Sequence, residues 1–332
     1  MAMSEVQQHI KLSVGPLLFG WPETKVNDLY LGLAGNPDVD ILYLGEVVCS
    51  KRMIAGIDPI VRLADELKNC GKEIVLSTLA MPCGEHELQA IRDLISAAGE
   101  RHLAIEANDM SAVSIASEAG VAFVAGPHLN VYTPYALQRL STLGAMRVVP
   151  PMELPPQDIP SIVNNRGQVL NGAPPYSVSD SCAIQDLTPV IEVEYFAHGK
   201  LPLTFSARCY TARARGMSKR TCHHTCFMDP DGIEMRSLDH EGFTTINGIQ
   251  IMSHRPFTVL DHVQELRQLG VGVLRISPQH EHMTDIIHRF RAVADGMQDG
   301  REALISLGGD SPLQQQFCNG YYHGQQGRVW IE

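Results

Sequence analysis

The stretch "VDILYLGEVVCSKRMIAGIDPIVRLADELKNCGKEIVLSTLA" (39–80) decides the fold. Its two ends, "VDILYLGE" (39–46) and "EIVLSTLA" (73–80), are short apolar runs of strand length. Between them, "IDPIVRLADELKNCG" (57–71) repeats apolar residues at intervals of three and four, the period of an amphipathic helix. Strand, helix and strand in this order predict parallel strands joined by a crossover helix.

The same alternation extends both ways. Further apolar runs are "LSVGPLLFGW" (12–21), "LAIEAND" (103–109), "VAFVAG" (121–126), "MRVVPPME" (146–153), "VIEVEYFAHG" (190–199), "GIQIMSH" (248–254) and "VGVLRISPQ" (271–279). A second helical pattern, "EHELQAIRDLISAAGE", fills 85–100. Helices are also expected over 259–269 and 283–295. With "GIQIMSH" counted as an accessory strand, eight parallel strands remain, and these predict a (β/α)8 TIM-type barrel occupying 1–332 as a single domain. A doubly wound open sheet is the alternative. Three segments interrupt or extend the pattern: an irregular, Pro-rich insertion over 154–190, a cysteine-bearing loop region over 205–246, and a mixed C-terminal extension over 296–332.

The totals narrow the function. Lys and Arg number 26 against 37 Asp and Glu, a net charge of −11, so no nucleic-acid partner is expected beyond a local basic patch at 208–220. No run of 18 apolar residues is present, so no transmembrane segment is expected. The start, "MAMSEVQQHIKLSVG", has no signal-peptide pattern, which points to the cytoplasm, where thiols stay reduced. Eight cysteines there suggest metal or catalysis rather than disulfides. There is no strand-linked G-x-G-x-x-G, phosphate loop, G-x-S-x-G elbow or H-E-x-x-H.

Cysteine spacing is the strongest chemical signal. In "CYTARARGMSKRTCHHTC" (209–226), Cys209, Cys222 and Cys226 fall within eighteen residues. Arg208, Arg213, Arg215, Lys219 and Arg220 surround them and favour thiolate over thiol. A four-iron cluster or a structural zinc would each need a fourth ligand. Cys49, after the second strand, and Cys83, after the third, both stand on the face where a barrel gathers its active groups. Spacing leaves Cys49 and Cys83, and iron–sulfur and zinc, as open pairs of alternatives; His223 and His224 could also serve zinc.

"EYFAHGKLPLTFSARC" (194–209) resembles the signature of the collagenase-like peptidase family, class U-thirty-two. Glu194, Phe196, Gly199 and Cys209 match it, Ala207 replaces a Gly, and Pro202 stands where the first signature Cys is expected. That substitution, with "YLGEVVCSKR", "IEANDMSAV", "GPHLNVY" and "VLRISPQ", resembles the ubiquinone-biosynthesis branch of the family. The resemblance implies a 4Fe-4S cluster on Cys49, Cys209, Cys222 and Cys226. It also implies a heterodimer with a UbiU-like sister protein and a UbiT-like lipid-binding protein that presents ubiquinone precursors. Oxygen-independent hydroxylation, with prephenate as oxygen donor, is the implied reaction. Four cysteines on one cube leave no open iron, so electron relay or structural support is expected.

No nucleophile–base pair accompanies the peptidase name. Residues expected to line the barrel mouth are Glu46, Glu106, His128, Asn130, Glu194, His198 and Arg275, with Asp109, Glu153 and Ser277 at other strand ends. The alternative functions are an RNA base hydroxylase, as in other family members, and a zinc-stabilised binding subunit without catalysis.

Overall fold

A computed structural model describes residues 9–163 and 191–332. Six strands come first: β1 (Lys11–Val14), β2 (Ile41–Gly45), β3 (Glu73–Ser77), β4 (Ala104–Ala107), β5 (Phe123–Ala125) and β6 (Ala145–Val148). After the insertion follow β7 (Glu192–Gly199), β8 (Pro202–Phe205), β9 (Ile233–Arg236), β10 (Gly242–Asn247), β11 (Gln250–Ser253), β12 (Phe257–Thr258) and β13 (Val271–Ile276). Strands β1 to β7 and β13 pair in parallel around a ring. β13 lies between β7 and β1, and pairing of Arg147 with Glu192 and Val148 with Val193 closes β6 onto β7. The barrel expected from 39–80 is therefore present as a closed eight-stranded barrel rather than an open sheet.

Strand β2 shows why. All of Ile41, Leu42, Tyr43 and Leu44 are buried. Ile41 and Tyr43 join Val75, Val124, Val149 and Val273 in one apolar cluster, while Leu42 and Leu44 join the larger core shared with the helices. A strand covered on both faces has no polar side to show, which is why it reads as a continuous apolar run. Helix Asp58–Leu67 buries Leu63, Ala64 and Leu67 on that outer core, and helix Glu85–Glu100 does the same with Ile91, Leu94, Ile95 and Ala98. At about 25 cal/mol per Å², each buried Leu contributes roughly 2 kcal/mol.

"GIQIMSH" is accessory, as expected: β11 lies in a separate antiparallel sheet ordered β8-β11-β10-β9. The 205–246 region is more ordered than a loop, since it supplies β9, most of β10 and the helix Tyr210–Ala214. β9 is largely solvent-facing and β10 buries mainly the polar Thr244, Thr245 and Asn247, so neither carries an apolar run. Within 154–190, residues 154–163 form a turn and the short helix Ile159–Val163; 164–190, including Cys182, lie outside the described residues. The expected helix over 283–295 appears as Met283–Ala294, and that over 259–269 as a 3-10 turn followed by Val263–Gln268. The extension carries helices Gly300–Gly308 and Leu313–Gln316. No helix among the described residues is long and apolar enough to cross a membrane.

Candidate functional site: a cysteine centre at the barrel rim

Four thiols come to one corner of the rim. Cys49 follows β2 and opens the 3-10 turn Ser50–Arg52. Cys209 caps the helix Tyr210–Ala214, its Sγ accepting from Ala212 N at 3.4 Å. Cys222 ends one 3-10 turn and Cys226 lies in the next, Thr225–Met228. Each is only 7–8% exposed. Cys49, Cys209 and Cys222 share one apolar cluster with Phe19, Trp21, Val48 and Met252. Cys83, the rival upstream thiol, is exposed and lies outside that cluster. Cys318 is buried in the main core.

The two cysteine segments are tied directly. His224 has a ring nitrogen 2.7 Å from the Lys51 carbonyl, and Lys51 Nζ donates to Arg220 O at 3.1 Å. His223 and His224 both take left-handed backbone, which bends the chain between Cys222 and Cys226. The histidines therefore shape the turn and link it to the Cys49 segment.

The cation at the centre is Arg52, which sequence reasoning did not single out. Its Nη1 donates to Leu18 O at 3.0 Å and to Glu46 Oε1 at 3.4 Å, and its Nη2 to Asn247 Oδ1 at 2.6 Å. Its Nε–H is buried with no hydrogen-bond partner. A Cβ on Gly20 would meet Cys226 Sγ at 2.9 Å and Arg52 Nε at 3.2 Å, so the free donor and the thiol share one small space. Burial pushes the Cys226 thiol up and the Cys49 thiol up to about 11, while Arg52 opposes both rises. The arginines of 208–220 were expected to do this. Instead Arg208, Arg213 and Arg220 are exposed and Arg215 is engaged by Asp229 at 2.7 Å; on that loop, Lys219 acts weakly on Cys49.

Asn247 joins the parts. Its Oδ1 accepts from Gly20 N at 2.9 Å as well as from Arg52, and its Nδ2 donates to Cys226 O at 3.2 Å and Asp229 O at 3.0 Å. Gly248 follows at φ +71°, and its carbonyl accepts from Tyr210 N at 2.8 Å, seating the helix that Cys209 caps. Gly248 opens the two-residue loop between β10 and β11, where a tight hairpin calls for left-handed backbone.

The expected mouth residues divide. Glu46 accepts from Val48 N at 2.7 Å, Cys49 N at 2.9 Å and Arg52, so it holds the Cys49 turn. Glu194 is fully buried inside the barrel, taking Ser13 Oγ at 2.6 Å, Arg275 Nε at 2.7 Å and the Tyr43 hydroxyl. Burial opposes its ionisation, but Arg275 and Arg147 hold it below the usual carboxylate range. Arg275, Glu106, His128 and Ser277 do line a narrow cavity at the mouth. Burial, with help from Arg275, lowers His128 to about 4. His198 does not line that cavity; it packs edge-on to Phe290 and Phe317, with ring centroids 5.9 and 6.2 Å away, because the register slips between Arg275 and Ile276 beside it. Asn130 is exposed in left-handed backbone. Asp109 caps helix Met110–Ala119, and Glu153 accepts from the Tyr132 hydroxyl.

A parallel eight-stranded barrel with a cysteine-bearing antiparallel cap defines the class of this molecule. The model of peptidase family U32 matches residues 31–332, and the chain belongs to that family. It is similar to the U32 peptidase Mk0906 at 12% identity and TM-score 0.43, over 85% of this chain and 97% of that one. It is also similar to a thiamine phosphate pyrophosphorylase from Pyrococcus furiosus, at 12% identity and TM-score 0.40, over 88% and 98% of the respective chains.

Among the described residues, no three His, Cys, Asp or Glu side chains gather as ligands of a single metal ion do. A zinc ion draws thiolates to about 2.3 Å from one point. A four-iron cube is larger and holds its four thiolates further apart. Four buried thiols in one region, an unspent N–H from Arg52 and the Ala212 N–H on Cys209 suit a sulfur-rich anionic group.

Proposed function

We propose that this chain is a UbiV-like iron–sulfur protein, a cytoplasmic subunit of an oxygen-independent hydroxylase in ubiquinone biosynthesis. Cys49, Cys209, Cys222 and Cys226 would hold a 4Fe-4S cluster, which supplies one-electron chemistry or a structural anchor when bound. The observation that carries the reading is the burial of these four thiols at one corner of the rim, with Arg52 as the cation shared by Cys49 and Cys226. The protein's own residues have definite tasks: Glu46 fixes the Cys49 turn, Asn247 locks Arg52 to the Cys226 segment, and the apolar cluster excludes water. A UbiU-like sister protein is the proposed partner, with a UbiT-like protein delivering ubiquinone precursors and prephenate as oxygen donor.

Anaerobic purification with iron and sulfide counts tests this. The expected result is about four irons and four sulfides per chain with brown absorbance near ~400 nm, as a cube held by four cysteines requires. Cys209→Ala is expected to abolish that absorbance, while Cys318→Ala keeps it. Zinc without sulfide, or equal loss in both variants, would overturn the assignment.

A further inference from the structure

Beside the cysteine centre, between the β1 and β2 loops and helix Asp58–Leu67, lies a second cavity of about 120 Å³. Its walls include Phe19, Trp21, Met53, Ile60 and Phe227, and its polar lining is the mostly buried Glu46–Arg52 pair with Asn27 and the exposed Glu23. An apolar cavity of about 150 Å³ is enough to take up benzene, so this one matches a single six-membered ring. Ile54 at its edge is 69% exposed, leaving an apolar way out for a substituent.

The polar end restricts the ligand further. The Arg52 side chain is 4% exposed and paired with Glu46, and its one unspent N–H lies on the Cys226 side, so the cavity meets a neutralised ion pair rather than a free cation. Glu46 takes Val48 N, Cys49 N and Arg52 all on Oε1. Its Oε2 has no hydrogen-bond partner among the described residues. An acceptor beside apolar walls selects a neutral molecule that brings its own hydroxyl.

We propose that this cavity binds one uncharged hydroxylated aromatic ring, its hydroxyl donated to Glu46 and an apolar substituent leaving past Ile54. The assignment rests on the reading above only for what such a ring is doing beside the thiols; ring binding itself needs no cluster. Phe227 adjoins Cys226 in sequence and lines the cavity, so a bound ring would sit next to the cysteine centre.

The test uses 4-propylphenol, propylbenzene and 4-propylbenzoate, titrated by calorimetry into full-length protein whose iron and sulfide have been counted. Propylphenol is expected to saturate one site about tenfold more tightly than the other two, the worth of one hydrogen bond to a charged acceptor. Glu46→Gln is expected to remove most of that tenfold margin while leaving propylbenzene within about twofold. Ala55→Phe, at an exposed position on the lip, is expected to block all three. Benzoate binding as tightly as the phenol, or phenol binding unchanged in Ala55→Phe, overturns the proposal. Protein that binds propylphenol but takes up no iron and sulfide on anaerobic reconstitution upholds the cavity and removes the cluster reading. Iron-loaded protein that does not bind propylphenol overturns the cavity and leaves the cluster reading standing.

Discussion

Arg52 spends its two terminal nitrogens on Leu18, Glu46 and Asn247 and keeps Nε–H beside Cys226. Removing its charge strands Glu46, buried and unpaired. Arg52→Met is therefore expected to cost roughly 3–5 kcal/mol, measured by denaturant unfolding, and, on the proposed reading, to strip the cluster's colour from the protein. Stability unchanged in Arg52→Met would show that Glu46 does not depend on it. Gly20→Ala acts by volume: its methyl group would crowd Cys226 Sγ and Phe227 at 2.9 Å. About 1–3 kcal/mol of destabilisation is expected from such overpacking, and on the proposed reading iron content would fall alongside. Of these residues the cysteines were legible in the sequence, because three of them fall within eighteen residues. Arg52 was not. It stands in "VVCSKR" like any surface arginine, and what gives it a role is Asn247, 195 positions away.

At the level of elements, legibility followed burial. Strands covered on both faces, such as β2 with Ile41 and Tyr43 inward and Leu42 and Leu44 outward, advertise themselves as apolar runs. Two accessory strands do not: β9 is almost entirely exposed, and its partner β10 begins at the surface. A third, β11, was legible as "GIQIMSH" because most of it is buried. Leu42→Ala is expected to cost roughly 2–5 kcal/mol, the range for a buried leucine truncated to a cavity, read from the shift in urea midpoint at constant slope. Asp109→Ala, which removes the oxygen accepting from Ser111 N at 2.7 Å, is expected to cost about 1 kcal/mol as a lost helix cap. Identical midpoints for wild type and Asp109→Ala would show the cap to be idle.

For the whole molecule, the barrel interior is half apolar and half ionic. Arg147 answers Glu73 and Glu192 below, Arg275 answers Glu106 and Glu194 above, and Tyr43 lies between the two arginines. Neither set could be paired from sequence, because each partner comes from a different strand. The pairing of β6 with β7 across the insertion follows the strand order that the expected barrel requires. Acid sensitivity follows from what is enclosed. Burial lowers His198 from 6.5 to about 4, so the unfolded chain takes up this proton more readily. The stability His198 contributes is complete above about pH 6.5 and is lost as pH falls toward 4, on the order of 3 kcal/mol. Glu194, depressed by its arginines, adds loss of the same sign at still lower pH, through its folded value. His198→Leu is expected to flatten the stability profile between pH 6.5 and 4 by about one proton; an unchanged slope would assign the effect elsewhere.

The thiol on the β2 loop and those on the cap stand at least 160 positions apart along the chain, 49 against 209. On the proposed reading, one inorganic knot would rivet barrel to cap and close a loop worth roughly 5 kcal/mol of chain entropy. Oxygen damage to that knot would then be felt as mechanical loosening before any loss of chemistry. A protease added to bleached protein is expected to nick the cap between 216 and 240 while the barrel survives intact.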